Sequence, residues 1–305
     1  MAARFWRRIL GLALALAAAS GIVLAKVFSL PWSMAPAFAL AVLLAVPVAV
    51  VFLSFVIAQA AAADLHARSS ARNVLQALLR EIADSTLVIL ALTRDERPRR
   101  PAQDLPATRT ARPVLLLHGF LCNHQVWRAL QTRLHAAGFG PIEAPDMEPL
   151  LMDIDIQAGR VAPQLRALQR RCNGERVVII AHSMGGLIAR ALLRDLGASA
   201  IRRIVTIASP HHGTTMVRGL PWPDTRQMSR MSPWLRTLNT SQEGRFAVPI
   251  ASIYTREENL VAPADSARLE GAELHELRGV GHFGMLRSRR ALDRVIATLS
   301  QEDPR

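Results

Sequence analysis

Lysine is almost absent from this 305-residue chain: lysine and arginine together number 37, and Lys26 is the only lysine. So complete an arginine bias reflects genome composition, and we discount it as a functional signal. Tyrosine occurs once, and aromatics make up 5% of the residues. That leaves little for stacking bases, and no basic helix with interleaved aromatics is present, so nucleic-acid binding is set aside. Cys122 and Cys172, the two cysteines, match neither a metal spacing nor a disulfide framework and read as small buried residues. No H-E-x-x-H or paired ligand spacing points to zinc, so neither a metal nor a cofactor is expected. Finally, no acid precedes Asp64, and residues 9–25 and 35–63 carry no charge at all.

Those uncharged stretches are apolar. A membrane span needs about 20 apolar residues. Residues 35–63, despite Pro36 and Pro47, read as a transmembrane helix. Residues 9–25 are marginal: either a second span, or a signal peptide with Ala17-Ala18-Ala19 as the cleavage site. Arg4, Arg7 and Arg8 precede the first run, and Arg68, Arg72 and Arg80 follow the second, with only Lys26 between them. The positive-inside rule then favours a hairpin with both ends in the cytoplasm. Cleavage of the first run would also leave the remainder cytoplasmic, whereas a single uncleaved span would place it outside. Formal net charge is +13, of which about +9 lies beyond the apolar runs; a basic surface suits anionic headgroups.

Residues 65–82 are amphipathic. Leu75, Leu78, Leu79 and Ile82 recur at helical spacing, with Arg72, Arg80 and Glu81 on other faces. Such a helix either packs on its own domain or lies on a bilayer. Residues 87–92 form an apolar run without an assignment, and 94–106, rich in Arg and Pro, read as a linker. The expected organisation is an anchor over 1–63, an amphipathic helix and linker over 64–109, and a larger domain over 110–305.

In that domain, strand patterns at 114–117, 141–144, 177–180, 204–207, 250–254 and 273–277 alternate with helical patterns at 126–137, 156–171, 187–196 and 289–299. Continuous apolar strands between helices predict an α/β fold with a mostly parallel sheet covered on both faces. Functional residues of such sheets gather at the carboxyl ends of the strands. There the chain places His118-Gly119-Phe120, then Ser183, then 209–214, then Glu257-Glu258-Asn259, then Gly281-His282-Phe283-Gly284. A serine between small residues at a strand-to-helix junction has the form of a nucleophile elbow. The bland reading of the same residue is a helix cap.

Five motifs in this order resemble the α/β-hydrolase superfamily, in particular bacterial lipases and esterases of the triacylglycerol lipase type. They are L-L-H-G-F at 116–120, A-H-S-M-G-G at 181–186, S-P-H-H-G-T at 209–214, E-N-L-V-A-P at 258–263 and G-V-G-H-F-G at 279–284. The resemblance covers roughly 110–300 and not the apolar segment. It implies Ser183 as nucleophile, His282 as its base, and Glu258 as the acid that orients His282, with Glu257 and Asp265 as rivals. It further implies an oxyanion hole from the backbone N–H groups of Phe120 and Met184. Two departures stand out: the acid position usually holds Asp, and Ala181 replaces the first glycine of G-x-S-x-G. His182, His211 and His212 are assigned to packing or loop hydrogen bonds. The long connection 214–247, with Met216, Leu220, Trp222, Met228, Met231, Trp234, Leu235 and Leu238, is either a lid or acyl-chain wall, or helices packed on the sheet.

The expected function is a membrane-anchored serine hydrolase that cleaves carboxylic esters, lipidic or otherwise, through an acyl-enzyme. The expected location is a bacterial inner membrane with the catalytic domain on the cytoplasmic side. An acyltransferase or thioesterase would use the same residues. A non-catalytic, membrane-tethered binding module is the competing class; retention of both Ser183 and His282 argues against it.

Overall fold

The computed structural model describes residues 1–61, 69–94, 112–242 and 246–300. Two long helices open the chain, α1 (Ala2–Val27) and α2 (Ala35–Ala60), followed by α3 (Ala71–Leu92). The rest alternates strand and helix: β1 (Val114–Leu117), α4 (Arg128–Ala136), β2 (Ile142–Glu143), α5 (Ile154–Arg171), β3 (Val177–His182), α6 (Met184–Leu196), β4 (Ile201–Ile207), α7 (Pro223–Met228), α8 (Pro233–Thr240), β5 (Ile250–Thr255), β6 (Glu273–Leu277) and α9 (Arg289–Ser300).

The six strands form one sheet in the order β2-β1-β3-β4-β5-β6, with every neighbouring pair parallel. This is the α/β architecture expected from the apolar runs. Side chains alternate between faces, as the period of two requires. Leu115, Leu117, Val177 and Ile179 enter the core shared with α5, α6 and α8. Val114, Leu116, Val178 and Ile180 enter the opposite core, with residues of α3, α4 and α9. Both faces are therefore buried, which is why the central strands read as unbroken hydrocarbon.

α3 differs from its sequence reading. The unassigned run 87–92 forms its last turns, and Val88 and Leu92 join the second core. The inward stripe is Ala77, Glu81, Ser85, Val88 and Leu92. Glu81 is 0% exposed, while Leu75 and Leu79 are 55% and 61% exposed. The helix thus packs on the domain by the face carrying Glu81, sets Leu78 and Ile82 against Val51 and Phe55 of α2, and leaves Leu75 and Leu79 outward. Residues 65–68 of the expected amphipathic segment, and the linker from residue 95 on, lie outside the described residues.

α1 and α2 pack side by side and are each long and apolar enough to cross a membrane; only 17% of each apolar window is buried. Their free ends meet the domain. The Trp6 indole N–H donates to the Leu121 carbonyl at 2.7 Å, and Ser54 of α2 bonds Asn259 at 2.9 Å. Residues 28–34 turn between the helices at the other end, about 39 Å along α1 at 1.5 Å per residue.

Candidate active site

The carboxyl ends of β1, β3, β5 and β6 converge on one edge, and the candidate residues sit in the loops that leave them. After β3 the chain turns straight into α6. Ser183 takes φ 54° and ψ −127°, and its side chain makes no capping bond to the helix. A non-glycine residue at positive φ is strained. Here the strain is what turns a strand into a helix within one residue, and it leaves the hydroxyl unused by the backbone. The helix-cap reading of Ser183 does not hold. Gly185 allows the first turn of α6 to press onto the end of β1: a Cβ there would collide with the Leu117 carbonyl.

The β1 loop comes equally close. A Cβ on Gly119 would lie 2.9 Å from the Ser183 Cβ. Within that loop, His118 is buried and its ring is locked at both nitrogens. Nε2 accepts the Met147 N–H at 3.1 Å, which leaves the proton on Nδ1 to donate to the Gly119 carbonyl at 3.0 Å. Cys122 N–H donates to the same carbonyl at 3.2 Å. A peptide's C=O and N–H point in opposite directions, so pinning the Gly119 carbonyl aims the Phe120 N–H the other way. This role of His118 was not visible in the sequence; only the tertiary contact with Met147 reveals it. The Met184 N–H, at the uncapped start of α6, is the second amide next to Ser183.

Of the three candidate carboxylates, Glu258 is the one bonded to His282. The imidazole Nδ1 lies 2.8 Å from each carboxylate oxygen, and both side chains are buried. Glu257 is also buried but turns elsewhere, accepting the Gly279 N–H at 2.7 Å and the Thr255 hydroxyl at 3.0 Å. Asp265 is exposed in a short helical turn. Burial pushes the Glu258 carboxyl up and the His282 imidazole down, because both charged forms lose water. The Val261 and Asn259 amides oppose that rise at Glu258. Burial thus favours the neutral imidazole; in the tautomer that donates Nδ1–H to Glu258, Nε2 is left as the acceptor. The structure forms no hydrogen bond between Ser183 Oγ and His282 Nε2.

The other histidines are structural in their contacts. His182 packs against His282 with ring centroids 4.6 Å apart and the ring planes tilted by 53°. His211 bonds Thr206 Oγ1 at 3.0 Å, and His212 faces Asn239 at 3.4 Å. Among the described residues no group of histidine, cysteine and carboxylate side chains could hold a metal. In the 214–247 connection, α7 and α8 bury Met228, Leu235 and Leu238 in the core, while Leu220, Trp222 and Met231 stay exposed.

Comparison with known proteins agrees with this architecture. Residues 163–269 match the PGAP1-like alpha/beta domain. A 92-residue stretch, 25% of this chain and 14% of the relative, is 40% identical to Protein SERAC1 of Danio rerio. Another of 139 residues, 44% of this chain and 52% of the relative, is 24% identical to Methylesterase 3 of Arabidopsis thaliana. The chain thus spans about half, or less, of the length of these curated relatives. The fold is similar to that of lipase B from Aspergillus fumigatus, with a TM-score of 0.58 at 17% identity over 82% of this chain and 86% of that one. The fold is therefore the α/β-hydrolase fold seen in that lipase, preceded here by two apolar helices.

Proposed function

We propose that the protein is a membrane-anchored serine hydrolase that cleaves carboxylic esters of lipids. The observation that carries this reading is the buried Glu258–His282 pair at the sheet edge that also holds the strained Ser183. In this reading Ser183 Oγ attacks the ester carbonyl as His282 Nε2 takes its proton. The tetrahedral oxyanion accepts N–H bonds from Phe120 and Met184, each worth about 2.7–4 kcal/mol to the transition state. Collapse expels the alcohol, protonated by His282, and leaves an acyl-enzyme. Water, deprotonated by the same Nε2, then releases the acid and restores Ser183. Glu258 holds the Nδ1–H tautomer and stabilises the imidazolium.

The membrane assignment rests on exposure. α1 and α2 leave rows of leucine, valine and phenylalanine uncovered, among them Leu12, Leu16, Leu44, Val50 and Phe52. So large an apolar surface needs an apolar solvent. The outward leucine row of α3 lies next to them, as an interfacial helix would. Loops flanking the site touch the free ends of the hairpin, through Trp6 at Leu121 and Ser54 at Asn259. In this reading the sheet edge faces the bilayer surface, which favours a lipid ester as substrate. With the arginines at the hairpin's domain end, the domain lies on the cytoplasmic side.

Labelling with a fluorophosphonate probe tests the reading: the full-length wild type in detergent reacts, and Ser183→Ala and His282→Ala do not. A folded wild type that stays unlabelled overturns it. A product screen with water, alcohol and thiol acceptors separates hydrolysis from acyl transfer.

A further inference from the structure

The N-terminal helices do more than adjoin the candidate site. We propose that Glu81 of α3 and Ser54 of α2 are positioning residues for His282, so that the second apolar helix and the helix after it also hold the histidine loop in place. This rests on His282 being the base of the reaction proposed above.

The loop 279–284 has few bonds of its own and borrows its acceptors from other elements. Glu81 accepts two adjacent backbone amides, Phe283 N–H on Oε1 at 2.8 Å and Gly284 N–H on Oε2 at 2.9 Å. The preceding amide, His282 N–H, donates to Asn259 Oδ1 at 3.0 Å. Asn259 is in turn set by α2. Ser54 Oγ donates its proton to the Val51 carbonyl at 2.6 Å and accepts the Asn259 Nδ2–H at 2.9 Å. Because Ser54 Oγ has spent its proton, it can meet only the NH2 end of Asn259, and the carbonyl end is left for His282. Of the three consecutive amides His282 through Gly284, two are held by α3 directly and the first by α2 through Asn259. Asp84, one turn further along α3, pairs with Arg287 at 2.9 Å just past the loop.

Packing gives no other account of a glutamate at this position. Glu81 stands on the inward stripe of α3 between Ala77 and Ser85, and burying a carboxyl is costly unless it is hydrogen-bonded. The glycines around His282 complement it. A Cβ on Gly281 would lie 2.5 Å from Glu81 Oε2, and one on Gly284 3.2 Å from Asp84 Oδ2. The glycines of G-H-F-G are therefore the space that α3 occupies, and the carboxylate and the motif form one unit.

The test uses the full chain in detergent, with Glu81→Ala, Glu81→Gln, Ser54→Ala and, as a control on the outer face of α3, Thr86→Ala. Three quantities are read: the probe-labelling rate, kcat and KM on a short-chain ester, and hydrogen exchange of the 279–286 backbone. A displaced base costs about 100-fold in rate for roughly 1 Å. Glu81→Ala should therefore lose about that much kcat with KM little changed, and its Phe283 and Gly284 amides should exchange faster. Glu81→Gln, which keeps one carbonyl acceptor, should recover part of both losses and guards against a misfolded alanine variant. Ser54→Ala should lose about 3- to 10-fold, and Thr86→Ala nothing. A folded Glu81→Ala or Glu81→Gln with wild-type kcat, or with unchanged exchange at 283–284, overturns the positioning role while the hydrolase reading stands. An unlabelled wild type with fast-exchanging variants instead overturns the hydrolase reading, and the proposed purpose of the contact with it.

Discussion

Replacing Glu258 by glutamine separates a tautomer-setting acid from a merely buried one. His282 Nδ1 lies 2.8 Å from each oxygen of this carboxylate, and the nearby backbone amides of Asn259 and Val261 also favour its charged form. Glutamine offers one oxygen and one NH2, so at least one donor must face another donor. The backbone amides cannot move, but the imidazole can change tautomer. The least costly arrangement keeps the carbonyl on the amides and turns NH2 to Nδ1, which drives the ring proton onto Nε2. The base is then protonated where it must accept. The equivalent substitution in a serine protease triad lowers kcat about 10⁴-fold, which is about 5.4 kcal/mol in the barrier, and we expect a loss of that order. Glu257→Gln should behave differently. Its partners are the Gly279 amide and the Thr255 and Ser69 hydroxyls, so it should lose about 1–3 kcal/mol of stability and retain kcat to within about tenfold. Asp265→Asn, at an exposed site, should be neutral within about 0.5 kcal/mol. The assay is kcat/KM on a soluble short-chain ester, with thermal unfolding on the same samples. A folded Glu258→Gln within about tenfold of wild type, or a Glu257→Gln that matches its loss, would refute the assignment.

Three further outcomes follow from the same geometry. Burial lowers the His282 pKa from its ordinary 6.5; the base works only when neutral, so kcat/KM should hold below pH 6.5 and fall only at more acid pH, and an acid limb centred at or above 6.5 would contradict this. Burial raises Glu81 from 4.5 to about 8, assisted by Glu258 and Asp84 and opposed by the Phe283 and Gly284 amides. The folded state then binds more protons than the unfolded state between those values, so this contribution is complete below pH 4.5 and lost as pH rises through 8, by up to about 1.4 kcal/mol per unit. Unfolding midpoints should decline over that window in wild type and less in Glu81→Gln. For topology, a reporter fused after Arg305 should be active only as a cytoplasmic protein; activity of a periplasmic alkaline phosphatase fusion would reverse the orientation.

How much could be read from the chain depended on whether the signal was local. The central strands are set by short apolar runs, and the parallel sheet follows from their being buried on both faces; strand boundaries moved by a few residues, as at Ile201 and His182, because hydrogen-bonding partners rather than composition end a strand. Motif order led to Ser183, Glu258 and His282 as candidates, since each stands just after a strand. For α3 the linear pattern left open whether the helix packs on the domain or lies on a bilayer. Periodicity alone cannot say which stripe of an amphipathic helix faces in; here Glu81 goes in, Leu78 and Ile82 pack toward α2, and Leu75 and Leu79 stay exposed.

The sequence by itself determined the alternation of strand and helix, the two uncharged apolar runs and the residues available at the sheet edge, because these depend on propensity and hydrophobic period over a few residues. Only the tertiary structure decided which of three carboxylates meets His282, how His118 aims the Phe120 amide, and that Glu81 and Ser54 reach the histidine loop from some 200 positions away. Those contacts depend on direction across the fold, and no spacing along the chain encodes it.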